Sequence, residues 1–310
     1  MLVRSPVLVF RGKFYRRTIG HPISRHRCFQ YTIFYLEVKE LKRLGIIGVG
    51  NLGYALIRGF VQSGTAIPEN ISVFDIEPSR REMAARDLKV RAVEDIVGAL
   101  SGGTQIAIIA VKPQIMQEVL ASIADSVHEE LVLISVAAGI STDFILSHLN
   151  RPARVIRAMP NAAAMVSAGA TALCKAGLAD EEDLAAATEL FRAVGLAVEV
   201  EEKMMNVVTA LSASGPGYLF PIMEALTDGA VLMGLDRPTA RALTVQTVMG
   251  AATMAASGNA EFSELKGRIT SPGGTTIAGL QVMERAGIRG VLMETIEAAT
   301  RRAEELQKGK

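Results

Sequence analysis

From Leu44 onward the chain alternates short apolar runs with segments whose apolar residues recur at helical spacing. LGIIGVG, ISVFD, TQIAIIAV, ELVLISVAAG and RVIRAMPN read as strands, each ending at or beside a Gly, Asp, Pro or Asn. AGATALCKAG and GLAVEV read as a further pair that closes the sheet near residue 200. From about Lys203 the pattern turns helical. VVTALSASGPGYLFPIMEALTDGAVLMGLD and RPTARALTVQTVMGAATMAASG predict long apolar helices broken at Gly and Pro, and EFSELKGR and IAGLQVMERAG predict shorter ones. Their polar faces are thin. About 105 residues cannot bury so much apolar helix surface within one subunit, so a homo-oligomer with these helices at its interface is expected. Met204, Met205, Met223, Met233, Met249 and Met254 read as core packing along them rather than as a binding surface.

The chain has 310 residues, 49% of them hydrophobic and 21% charged, enough for large cores in two domains, at residues 42–202 and 203–310. Residues 1–41 differ: Arg4, Arg11, Arg16, Arg17, Arg25 and Arg27 stand there with no acid before Glu37. This segment reads as an extension outside the fold, unordered or non-native through an upstream start, with an Arg-rich transit segment as the alternative. Thirty-three basic residues against 32 acidic ones leave a net charge of +1, so no global field favours nucleic acid or an anionic membrane. The densest apolar window, LVLISVAAGI, has ten residues, short of the roughly 18 that a membrane helix needs. Cys28 and Cys174 are the only cysteines, far apart and without metal spacing, which fits a reducing cytoplasm and no metal site.

In the first strand-to-helix turn, Gly48, Gly50 and Gly53 stand in G-x-G-x-x-G register. A glycine pattern alone is weak, but here it follows a strand, opens a helix and precedes a second strand ending in Asp75, which is the context of dinucleotide binding. Gly48 would make the tight turn, Gly50 would admit the pyrophosphate, and Gly53 would let helix and strand pack closely. Asp75 stands where an acid bonds the adenosine ribose, which leans the choice between NADPH and NADH toward NADH. Arg80 and Arg81 are either cations for a 2′-phosphate or solvated helix residues. In open parallel sheets ligands sit beyond the carboxyl ends of strands. Gly48, Val49, Gly50, Asn51 and Leu52, with Ala110, Val111, Lys112, Pro113, Ala138, Gly139 and Asn161, are therefore candidate cofactor contacts. Asn161 is equally readable as a turn residue.

RITSPGGTTIAGL, residues 268–280, packs Ser271, Pro272, Gly273, Gly274, Thr275 and Thr276 between two helical segments. One reading is a helix cap. The other is an anion seat, in which the glycines turn the backbone and Thr275 and Thr276 open a helix whose first amides have no internal partner. All four histidines precede residue 203, so the helical half offers no His to act as a base opposite a nicotinamide. Lys203 and Asn206, three apart, are a weaker alternative pair, imitating that of the 3-hydroxyacid dehydrogenases.

In GVGNLG, AVKPQ, SVAAGI, RAMPN, TALSASGPGY and above all ITSPGGTT, in that order, the chain from Leu44 to its end resembles the pyrroline-5-carboxylate reductases. The resemblance implies an α/β fold, with a Rossmann-like dinucleotide-binding domain followed by an all-α dimerisation domain whose helices interleave between subunits. It implies reduction of the ring imine of 1-pyrroline-5-carboxylate to L-proline by NADPH or NADH, with self-association as a homodimer or a dimer-based higher oligomer. By resemblance, amides around Gly273, Gly274, Thr275 and Thr276 hold the substrate carboxylate. The Thr276 hydroxyl lies near the imine nitrogen as the catalytic group, Ser271 caps or contacts the carboxylate, and Ser214, Gly215 and Pro216 form the other wall of the ring pocket. Departures are Ala213 and Gly217 in the SASGPGY loop, Leu52 and Gly53 where the family has Met-Ala, and Phe74-Asp75 where Ser or Arg is usual. Two rival readings are a reductase of another small imine or keto acid, and a non-catalytic dinucleotide-binding paralogue.

Overall fold

The computed structural model describes residues 42–308; the extension read at residues 1–41 lies outside them. In chain order, β1 (Leu44–Ile47), α1 (Asn51–Ser63), β2 (Ile71–Phe74), α2 (Pro78–Leu88) and β3 (Arg91–Ala92) build one side of a sheet. The other side follows with β4 (Ile106–Ile109), α3 (Met116–Ile123), β5 (Val132–Ser135), α4 (Thr142–Ser147), β6 (Arg154–Met159), β7 (Gly169–Gly177), α5 (Glu181–Arg192) and β8 (Gly195–Glu199). The eight strands lie in the order β3-β2-β1-β4-β5-β6-β7-β8. β1, β4 and β5 are buried at every position, because helices cover both faces. Leu56, Ile57, Phe60 and Phe191 pack on one face, and Met116, Leu120, Ile123 and Ile145 on the other.

Every neighbouring pair is parallel except β6 and β7. The expected closing pair is present, but its reversal of direction was not legible from the apolar runs. It follows from the connection: Pro160–Ala168 holds one short 3₁₀ turn, Ala162–Val166, whereas a parallel return needs a crossover of about a dozen residues or more. The strands are also shorter than the apolar runs, since the chain turns away once pairing ends.

The helical region comprises α6 (Met205–Val208), a π-helical turn at Thr209–Ala213, α7 (Gly215–Leu232), α8 (Arg237–Ala256), α9 (Phe262–Arg268), α10 (Thr275–Arg285) and α11 (Ile288–Lys308). Buried side chains are scarce in it: Met205 in α6, Ala210 in the π-turn, Thr227 in α7, Ala240 and Thr244 in α8, and Ala303 in α11. Phe220, Leu232, Met233, Met249, Met254, Phe262, Val282 and Met293 are exposed in the single chain. Of the six methionines read as core packing, Met205 is buried, whereas Met204, Met233, Met249 and Met254 are exposed in the single chain.

A buried charge joins this region to the sheet. The Arg157 guanidinium, 1% exposed, lies 3.1 Å from Glu202 Oε1, which also accepts the Thr142 amide at 2.8 Å. The Thr142 hydroxyl donates to the second Glu202 oxygen. Across the strand pair Cys174 stands opposite Arg157, and burial, reinforced by Glu202, pushes its thiol up to about 12.

Candidate functional site

The chain runs from β1 outward to β2 and β3, then returns to β4 on the other side of β1. That reversal opens a crevice beyond the carboxyl ends of β1 and β4, the place where α/β sheets take ligands. A cavity of about 1090 Å³ lies there. It is lined by Gly48, Val49, Gly50, Asn51, Leu52, Asp75, Ala110, Val111 and Lys112, so most of the expected cofactor contacts meet in one place. Pro113, Ala138, Gly139 and Asn161 do not line it.

The glycines explain the shape of the crevice. Gly48 has φ +99°, and a Cβ there would meet the Ala110 carbonyl oxygen at 2.5 Å. A Cβ at Gly53 would stand 2.0 Å from the Gly48 oxygen, so α1 can approach β1 this closely only without a side chain. At Gly50 a Cβ would meet nothing within 4 Å; the space above that backbone is open. α1 starts at Asn51 with no side-chain cap on its amides, a helix N-terminus facing the crevice.

Asp75 is 6% exposed, and its carboxylate accepts the Val49 amide at 2.7 Å and the Glu77 amide at 3.0 Å. It thereby ties the end of β2 to the glycine loop. Arg80, half exposed, lies 3.7 Å from the same carboxylate and lines the cavity, whereas Arg81 covers the Phe74 ring and donates to the Glu94 carbonyl. Arg58 and Met165 also line the cavity, and the Arg58 guanidinium donates to the Met165 carbonyl. Arg58 went unnoticed in the sequence, yet its spacing from Asn51 and Tyr54 puts it on the crevice face of α1.

The SPGGTT segment forms as expected, with one difference. Gly273 has φ +67° and turns the chain, and α10 then opens at Thr275 with Gly274 as its N-cap and no capping side chain. Ser271 therefore does not cap the helix. The turn places it before Gly274, where its carbonyl accepts the Gly274 amide at 3.1 Å and its hydroxyl fills the space a Cβ at Gly274 would need. An open groove of about 450 Å³ runs along Gly273, Gly274, Ile277, Ala278 and Gln281. It shares no lining residue with the crevice, and Ser214, Gly215 and Pro216 line neither. Lys203 and Asn206 form no pair: Lys203 lies beside Glu201, and Asn206 donates to Gln307 at 2.8 Å. Among the described residues, no group of three or more His, Cys, Asp and Glu could hold a metal ion, and no helix is long and apolar enough to cross a membrane.

A glycine fingerprint at the switch point of a mostly parallel sheet, followed by a helical region with uncovered apolar faces, defines a dinucleotide-binding oxidoreductase with a helical dimerisation domain. The family profiles that match are NADP oxidoreductase, coenzyme F420-dependent, over residues 43–139, and pyrroline-5-carboxylate reductase dimerisation, over residues 202–306. A pyrroline-5-carboxylate reductase from Methanosarcina acetivorans is 43% identical over 87% of this chain and 99% of its own, and one from Arabidopsis thaliana is 37% identical over 86% and 96%. Among solved structures, a pyrroline-5-carboxylate reductase from Coxiella burnetii is 34% identical with a TM-score of 0.82, over 86% of this chain and 98% of its own. The Plasmodium falciparum pyrroline carboxylate reductase with NADP bound is 26% identical with a TM-score of 0.76, over the same shares. The chain belongs to the pyrroline-5-carboxylate reductase family.

Proposed function

We propose that the chain reduces 1-pyrroline-5-carboxylate to L-proline with NADPH or NADH, the last step of proline synthesis. The observation that supports this reading is the presence, in one chain, of two uncapped helix starts behind glycine turns, each of a kind that suits an anion: the glycine loop at the switch point and the start of α10. A dinucleotide needs only the first. The second suits a small carboxylate, whose charge the free amides of Thr275 and Thr276 and the helix dipole favour.

The crevice fits a dinucleotide, since Gly50 leaves room for a pyrophosphate and the N-terminus of α1 supplies amides for it. When bound, the reduced nicotinamide supplies a hydride. The residues of this chain supply position. Gly48 to Leu52 hold the phosphates, Ala110 to Pro113 with Ala138 and Gly139 border the ring end, and Asp75 at the ribose end leans the site to NADH. Gly273 to Thr276 hold the substrate carboxylate, Ser271 shapes the turn that presents them, and Ser214, Gly215 and Pro216 wall the ring. The Thr276 hydroxyl steers a proton at the imine nitrogen. A ring imine that protonates near neutral pH needs placement more than a strong acid, and this agrees with a helical region without histidine.

The two seats come together when chains associate. The exposed apolar faces of α7, α8, α10 and α11 are the surfaces that interleave in a dimer, alone or as the unit of a larger assembly, with residues 42–202 as the cofactor domain and 203–310 as the dimerisation and substrate domain. We place the protein in the cytoplasm, acting on small molecules rather than on nucleic acid or membrane. The test is NADH and NADPH oxidation by the purified protein with pyrroline-5-carboxylate, piperideine-6-carboxylate and a simple 2-keto acid. Rapid turnover of the five-membered ring alone supports the reading; binding of dinucleotide without turnover of any of the three overturns it.

A further inference from the structure

Pro216 removes a donor. In a continuing α-helix the Ser212 carbonyl would accept the N–H of residue 216, but proline has none and its ring crowds the carbonyl four residues back. The next amide, that of Gly217, donates to the Ser214 carbonyl at 2.8 Å. The helix widens here into the π-turn Thr209–Ala213, closed by the Ser214 amide on the Thr209 carbonyl at 2.9 Å, a distortion that recurs at functional sites. The Ser212 carbonyl takes its hydrogen bond from elsewhere: Asn161 Nδ2 donates to it at 3.0 Å, across 51 positions of sequence. The other end of the same side chain, Oδ1, accepts the Ala170 amide at 3.1 Å. A carbonyl on one side and an N–H on the other fix which way the amide points.

We infer that Asn161 is a positioning residue: its amide replaces the N–H that Pro216 lacks, and so sets the Ser212–Pro216 wall relative to the cofactor crevice. This inference rests on the functional reading above. The loop that carries Asn161 also carries Met165, which lines the crevice and whose carbonyl is held by Arg58 of α1. One short loop thus touches the cofactor end on one side and the substrate wall on the other. Asn161 touches neither ligand. It acts through Ser212, and its loss shifts the wall while leaving the crevice intact.

Asn161→Ala and Asn161→Asp separate the two hydrogen bonds, since Asp keeps the acceptor for the Ala170 amide and loses only the donor. Both variants are expected to raise KM for pyrroline-5-carboxylate about tenfold, equivalent to about 1.4 kcal/mol, with NADPH and NADH dissociation constants within about twofold of wild type. Amide hydrogen exchange over residues 212–218, read by mass spectrometry, is expected to quicken in both. In a Pro216→Ala background, where residue 216 regains an N–H for the Ser212 carbonyl, the penalty of Asn161→Ala is expected to fall below about threefold. A wild-type KM and unchanged exchange in Asn161→Asp would overturn the assignment, as would an equal penalty with and without Pro216. Wild-type protein inactive on pyrroline-5-carboxylate, with exchange still quickened in the variants, would overturn the substrate reading and leave the tie between Asn161 and the wall standing.

Discussion

The glycine loop makes a prediction that separates folding from binding within a few residues. At Gly53 a methyl group would stand 2.0 Å from the Gly48 carbonyl oxygen, and an ordinary contact requires withdrawal by about 1.4 Å. The obstacle is backbone, which cannot rotate aside. Overpacking of this kind costs about 1–3 kcal/mol, offset by at most about 1 kcal/mol from replacing glycine within a helix. Gly53→Ala is therefore expected to lose about 1–2 kcal/mol and to lower Tm by roughly 2–8 °C, with weakened dinucleotide binding as a consequence of the displaced loop. Gly50 has φ −70° and ψ −171°, open to any residue, and free space around it. Gly50→Ala costs only a less favourable helix cap, about 0.5–1 kcal/mol, yet its methyl stands in the open space proposed for the pyrophosphate. Its dinucleotide dissociation constant is expected to rise at least tenfold, or about 1.4 kcal/mol, with Tm lower by only about 1–4 °C. Differential scanning fluorimetry and titration of NADPH and NADH fluorescence measure both quantities. Gly50→Ala with wild-type affinity would refute the passage of the pyrophosphate over Gly50; Gly53→Ala with wild-type Tm would refute the close helix–strand contact.

Thr276→Ala should lower turnover of pyrroline-5-carboxylate and raise its KM while NADH affinity stays level, and normal steady-state kinetics would remove the hydroxyl from the mechanism. Asp75→Asn removes the negative charge but keeps an acceptor for the Val49 or Glu77 amide; the ratio of kcat/KM for NADPH over NADH should rise about tenfold, and an unchanged ratio would show that the carboxylate does not face the ribose. Cys174 holds its proton to about pH 12 when folded, against 9.0 for the ordinary thiol, so between those values the unfolded chain binds fewer protons and stability falls as pH rises. Denaturant titrations across that window should show a fall that Cys174→Ala reduces, and peptide mapping after alkylation at pH 8 should find Cys174 unmodified in the folded protein.

Much of the fold and part of the site were legible in the sequence, for a physical reason. Apolar runs and helical spacing report which faces are removed from water, a property each segment carries locally, and so β1, β2, β4, β5, β6 and the long helices stood where their patterns put them. Gly48, Gly53 and Gly273 were legible because a turn or a close approach excludes a side chain wherever it occurs. Exposed leucines on α7 and α8 followed from helices too apolar for one chain to cover, whereas Met249 and Met254 of α8, read as core packing, are exposed in the single chain. Tertiary structure alone decided how polar groups pair. The Asp75 carboxylate meets the Val49 amide of the glycine loop, Arg157 and Glu202 join sheet to helices, and Asn161 serves a carbonyl that Pro216 left without a donor. Partners separated by 26 to 60 positions leave no periodic trace. The reversal of β7 was likewise decided by the length of its connection, not by its residues. Hydrophobic burial is set by composition along a segment, whereas a hydrogen bond needs two atoms within about 3 Å, and only the folded chain brings them there.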